Sequence, residues 1–109
     1  MTVKESTVRK TALVTGFEPF NGAALNPSQE IVRALENRKF DDIRLITETL
    51  PCVFSKASQL LNGLIKKTEP DVVIALGQAE GRSQVTPEKI AFNLDDASIA
   101  DNAGELRKN

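Results

Sequence analysis

Two stretches of the chain hold the side chains with chemical reach. The first, Gly77 to Asn93, reads GQAEGRSQVTPEKIAFN. Gln78 both donates and accepts hydrogen bonds, which suits an amide or a lactam. Gly81 lets a backbone approach a ligand closely. Arg82 and Glu88 are the charged pair of this stretch, and their ordinary alternative is a surface ion pair of small worth. The second, Thr15 to Ser28, reads TGFEPFNGAALNPS and sets Phe17 and Phe20 three residues apart in a Gly- and Pro-containing loop. The pair makes an apolar wall, or at least one of them packs beneath the loop. Neither stretch carries the G-x-G-x-x-G or G-x-x-x-x-G-K spacing that cradles phosphates, which counts against a nucleotide-binding α/β domain.

Composition narrows the chemistry further. None of the 109 residues is histidine and one is cysteine. That removes the commonest general base, imidazole metal ligands, and any Cys-His or Ser-His couple within this chain. What remains is carboxylate or lysine chemistry, or binding alone. Cys52 follows Pro51 just after an apolar run and has no imidazole to activate it, so it reads as a small buried or pocket-lining residue. Asp95, Asp96 and Asp101 lack the spaced pattern of a calcium loop and read as a solvated acidic segment, with no metal and no cofactor expected. A net charge of −1, with five Phe and no Trp or Tyr, gives no footprint for nucleic acid or an anionic membrane. No run is long and apolar enough to span a bilayer, and a single cysteine cannot form an internal disulfide, so a cytoplasmic protein is expected.

The elements that must position these residues alternate. Residues 1–10 form a loose lead-in, and Thr11 to Gly16 is a short apolar strand ending in Gly. Asn26-Pro27-Ser28-Gln29 is a helix start: Asn caps, Pro suits the first helical position and Gln completes a capping box. Ile31, Val32 and Leu35 give this helix one apolar face. Ile43 to Leu50 is a partly alternating, β-branched strand closed by Pro51. Phe54, Ala57, Leu60, Leu61, Leu64 and Ile65 recur at helical spacing, predicting a helix from Phe54 to about Lys67, with Pro70 forbidding continuation. Asp71 to Gly77 (DVVIALG) reads as a central parallel strand buried on both faces, and Lys89 to Asn93 as a short strand. The β-α-β-α-β order predicts one domain over residues 1–109: a three-layer α/β/α fold with a mostly parallel sheet and right-handed crossovers. Ligands of such sheets gather outside the carboxyl ends of the strands, where both stretches fall. Two helices are too few to cover both faces of the third strand, so the domain is expected to be incomplete at its C-terminus.

Taken together, TGFEPF, NPS, LPCVF and GQAEGRSQVTPEKIAFNLDD, in this order between about Thr11 and Gly104, resemble the pyroglutamyl peptidase I family. The resemblance implies a cytosolic cysteine peptidase that removes N-terminal pyroglutamate with a Cys-His-Glu triad, often as a homo-oligomer. It implies that Glu88 is the triad carboxylate and that Phe17 and Phe20 sandwich the lactam. Gln78 would bond the lactam, Asn26 would lie near the pocket and Ile99 on its rim. The family's nucleophilic Cys and its His lie further along than this sequence reaches, so the chain alone is expected to be inactive. The partner implied is a peptide with an N-terminal pyroglutamate. Three positions depart from the pattern: Ser98 stands for an Arg, Ala100 for a Pro, and Glu80 for a small residue. A non-catalytic binding or assembly module of the same fold is the alternative.

Overall fold

A computed structural model describes residues 9–108. Three parallel strands and two helices follow one another in strict alternation: β1 (Lys10–Phe17), α1 (Pro27–Glu36), β2 (Ile43–Leu50), α2 (Lys56–Thr68) and β3 (Val72–Ala75). The sheet order is β2-β1-β3. Lys10 pairs with Ile43 and Phe17 with Leu50 at the two ends of one ladder, and Ala12 to Thr15 pair with Val72 to Ala75 in the other. The chain steps from β1 to a neighbour on one side, then crosses to the other side. Crossovers of one hand in opposite directions put α1 and α2 on opposite faces, which makes the fold three-layered.

β1 is central because its sequence tolerates burial on both faces. Thr11 to Gly16 are all buried, and Leu13 is 0 % exposed. Gly16 is required by close approach: a Cβ there would sit 2.5 Å from the Ser28 carbonyl oxygen and 3.0 Å from Val32 Cγ2. Absence of a side chain therefore lets α1 lie directly on the strand. Val32 is fully buried at that contact, Leu35 is half-buried and Ile31 remains exposed. Thr15 Oγ1 is the one buried side-chain polar atom without a partner among the described residues.

Several boundaries differ from the sequence expectation, each for a local reason. The first eight residues of the expected lead-in lie outside the described residues; Lys10 already belongs to β1, and Arg9 donates to the carbonyls of Phe40 (3.2 Å) and Ile43 (2.9 Å). The second helix begins at Lys56 rather than Phe54, because Ser55 takes a left-handed φ of 70° and breaks the helical path before it. Its far end closes on Glu69, also left-handed, with Lys66 and Lys67 in the last turn.

The third strand is a correction. It is not central and buried but lies at the sheet edge, and Val72, Val73 and Ile74 are all exposed. Its apolar pattern states what the strand is suited to bury against, while the layer that would cover it is not formed by these residues. The short strand expected over Lys89 to Asn93 is likewise absent, and that segment runs as bends and coil with Phe92 77 % exposed. A strand requires a partner ladder, and these residues pair with none.

Candidate functional site

The strands are parallel, so the connections after β1 and after β3 emerge from the same end of the sheet. The first, residues 18–26, is fixed at its two ends, around Glu18 and Asn26. Phe17 N–H donates to Ser28 Oγ (2.9 Å) and Glu18 N–H to the Leu50 carbonyl (3.0 Å). The Glu18 carbonyl accepts from Asn26 Nδ2 (3.2 Å), and Asn26 Oδ1 caps α1 by accepting from Ser28 N (3.0 Å) and Ser28 Oγ (2.7 Å). Asn26 is fully buried by these contacts. Phe17, the last residue of β1, and Phe20 on this loop, two of the residues singled out by sequence, are both half-buried.

The second connection, residues 76–94, is tied chiefly to itself. Leu76 N–H reaches the Thr15 carbonyl at 2.8 Å, after which Arg82 N–H turns back to Ala79 and the Arg82 guanidinium bonds Thr86 Oγ1 (2.8 Å) and Glu88 Oε1 (2.7 Å). Gly81 carries the turn with φ 87°. The Arg82–Glu88 pair is the surface ion pair that the sequence left open; both partners are at least half exposed, so it contributes little to stability.

Two hollows lie at this end of the molecule. One, of about 840 Å³, separates the second connection from α1 and is lined by Gln78, Arg82, Glu88, Pro27, Ser28 and Ile31, among others. The other, of about 340 Å³, is lined by Phe17, Cys52, Phe54, Asp95, Asp101 and Arg107, among others. Gln78 and Glu88 therefore share one hollow while Phe17 borders the other. Ile99 is exposed and, like Phe20 and Asn26, is not among the lining residues of either. Ser98 and Glu80, two of the departures from the family pattern, are both exposed.

The small hollow explains Cys52 and the acidic segment. Burial pushes the Cys52 thiol up from its ordinary pKa, and the nearby negative charges of Glu18 and Asp101 push it further. A thiol held in its protonated form is a poor nucleophile. For Asp101, desolvation raises the carboxyl but is outweighed by the amides of Phe54 (2.7 Å), Glu105 (2.8 Å) and Ala103 (2.9 Å), which hold it below its usual value. Asp95 pairs with Arg107, whose guanidinium also bonds Glu105 (2.9 Å) and Ser55 Oγ (2.8 Å) and lies 4.9 Å above the Phe54 ring. These carboxylates are engaged with amides and a guanidinium, and no cluster of three metal-ligating side chains occurs among the described residues.

Three residues that organise this end were not singled out by sequence, Glu18, Asn102 and Arg107, and Asp101 was read only as part of a solvated acidic segment. Asp101-Asn102-Ala103-Gly104 is a recognisable turn signature, with Gly104 at φ 84°, and was the available signal for Asp101. Nothing local marks Glu18 or Asn102, whose side-chain partners lie 34 to 84 positions away, and Arg107 joins the nearby Glu105 and Asp95 to Ser55, 52 positions away.

A parallel α/β sheet with two loops at the carboxyl ends of its strands is the architecture of many enzymes; comparison with known proteins makes it specific. The chain belongs to the pyroglutamyl peptidase family, whose pattern it matches over residues 10–108. It is 54 % identical over 93 residues to the pyrrolidone-carboxylate peptidase of Enterobacter sp. (strain 638), covering 85 % of this chain and 44 % of that protein. The crystal structure of pyroglutamyl peptidase I from Bacillus amyloliquefaciens superposes with a TM-score of 0.86 at 42 % identity, over 93 % of this chain and 48 % of that one. Pyrrolidone carboxyl peptidase from Fervidobacterium islandicum AW-1 gives 0.90 at 37 % identity, over 93 % and 49 %. The chain thus spans a little under half the length of these relatives. No helix among the described residues is long and apolar enough to cross a membrane.

Proposed function

We propose that this chain is the pocket-building part of an enzyme that removes N-terminal pyroglutamate from peptides. The observation that carries the reading is the family match across residues 10–108, which includes both loops at the carboxyl end of the sheet. In this reading Phe17 and Phe20 flank the lactam, Gln78 bonds its amide, Asn26 supports the loop beneath it and Ile99 borders the rim. Glu88 holds the imidazole of a triad and stabilises its charged form. A Cys thiolate attacks the carbonyl after the lactam ring, the imidazolium protonates the departing amine, and water then cleaves the acyl-enzyme.

Neither the imidazole nor an activated thiolate comes from this sequence. Histidine is missing from it, and the environment of Cys52 disfavours the thiolate. The chain alone is therefore expected to be inactive and to need a polypeptide bearing the Cys and His. A lone thiol fits a reducing cytosolic compartment. The near-neutral charge argues against nucleic acid and anionic membranes as partners, and the exposed apolar edge favours self-association.

The test is hydrolysis of a chromogenic pyroglutamyl amide by the purified chain, alone and mixed with the C-terminal half of the Bacillus amyloliquefaciens enzyme. No turnover alone and gain of turnover on mixing is the expected result. Turnover by the chain alone that Cys52→Ser abolishes would sink the assignment of roles. Binding of pyroglutamyl peptides with no turnover in any mixture would favour a non-catalytic module.

A further inference from the structure

The loop between Phe17 and Phe20 is held from one side by the segment at Asp101 and Asn102. Glu18 Oε1 accepts from the Cys52 amide (3.2 Å) and from Asn102 Nδ2 (3.0 Å). Asn102 Nδ2 also donates to the Pro19 carbonyl (2.9 Å), and its backbone N–H donates to the Cys52 carbonyl (3.0 Å). One carboxamide therefore spans the side chain of Glu18 and the backbone of Pro19, between the two Phe. The Asp101 turn next to it is fastened to Phe54 at the start of the α2 connection. Three segments that are remote in sequence meet on a single carboxylate.

We propose that Glu18 and Asn102 are a positioning pair that presets the Phe17/Phe20 wall for a five-membered lactam ring. The inference rests on the pocket reading above. A bond from a charged acceptor is stronger than a neutral one, and the same carboxamide also holds the Pro19 carbonyl. Without it, the segment between the two Phe keeps the backbone bonds to Leu50 and Asn26 but loses its tie to the β2–α2 connection and to the C-terminal segment. The wall then samples arrangements that do not accept a ring, and apparent affinity falls by the fraction lost.

The experiment is an NMR titration of the isotope-labelled 109-residue chain with 2-pyrrolidone, following the Phe17 and Phe20 ring signals. Glu18→Ala is expected to weaken binding roughly ten-fold, as a fall of the competent fraction to about a tenth requires. Glu18→Gln keeps an oxygen that accepts from both donors and should bind close to wild type. Asn102→Ala, at an exposed position, should repeat the Glu18→Ala loss and serves if that variant does not fold. Equal affinity in wild type, Glu18→Ala and Asn102→Ala would overturn the pair, as would an equal loss in Glu18→Gln. Failure of the wild-type chain to bind 2-pyrrolidone would instead remove the lactam reading. The pair would then be decided by the ring-to-neighbour NOE pattern of Phe17, which must change in Glu18→Ala and persist in Glu18→Gln.

Discussion

The loop after β1 and the loop after β3 leave the same end of one sheet, yet they are secured in different ways. The first is anchored outward, to Ser28 on α1, Leu50 on β2 and Asn102. The second is anchored chiefly inward, through Arg82 to Thr86 and Glu88, and its apolar side chains Val85 and Phe92 stand in solvent. An aromatic wall works by shape, so it is built on a rigid floor. The residues proposed to bond the lactam and to orient an imidazole, Gln78 and Glu88, sit on a segment whose final arrangement depends on what else packs against it.

Four substitutions break or sharpen that contrast. Gly16→Ala should be the most damaging, because its Cβ would meet the Ser28 backbone at 2.5 Å, and neither strand nor helix can yield cheaply. A loss of about 3 kcal/mol in urea unfolding is expected; a loss below about 1 kcal/mol would show that α1 is not fixed to β1. Asn26→Ala removes a cap and leaves the Glu18 carbonyl without its donor, for a loss of about 2 kcal/mol by the same measurement. Thr15→Val replaces a buried hydroxyl that has no partner with a methyl group of similar shape, and a gain of about 1 kcal/mol is expected. No gain would mean that the hydroxyl is satisfied in solution. Glu88→Gln should change the melting behaviour by no more than about 0.5 kcal/mol, since its pairing is exposed. In a complemented enzyme the same change should lower kcat, because a carboxylate that stabilises an imidazolium acts mainly in the transition state.

The same contrast decides what could be read from the sequence. Elements defined by local chemistry were legible: the Asn26-Pro27 helix start, the Ile43–Leu50 strand, and the parallel alternation of the whole. Glu88 and Arg82, only six residues apart, were legible as a pair. The placement of the third strand was not, because V-V-I-A states a preference for burial without naming the partner, and the sheet order leaves it at an edge. Glu18 drew no reading from the sequence, since the residue that gives it a role is 84 positions away. Whether Phe17, Phe20 and Gln78 meet on one ligand was beyond the sequence for the same reason, as two separate loops must be brought into register.

That separation also sets an order of events in time. The bond from Phe17 to Ser28 closes a span of 11 residues, while the bond from Asn102 to Glu18 closes a span of 84. In an otherwise open chain the longer closure costs about 2 kcal/mol more entropy. During synthesis from the N-terminus, β1, its loop and α1 have left the ribosome long before Asn102 is added. The aromatic loop is therefore first assembled with one side unfastened, and Asn102 latches it later.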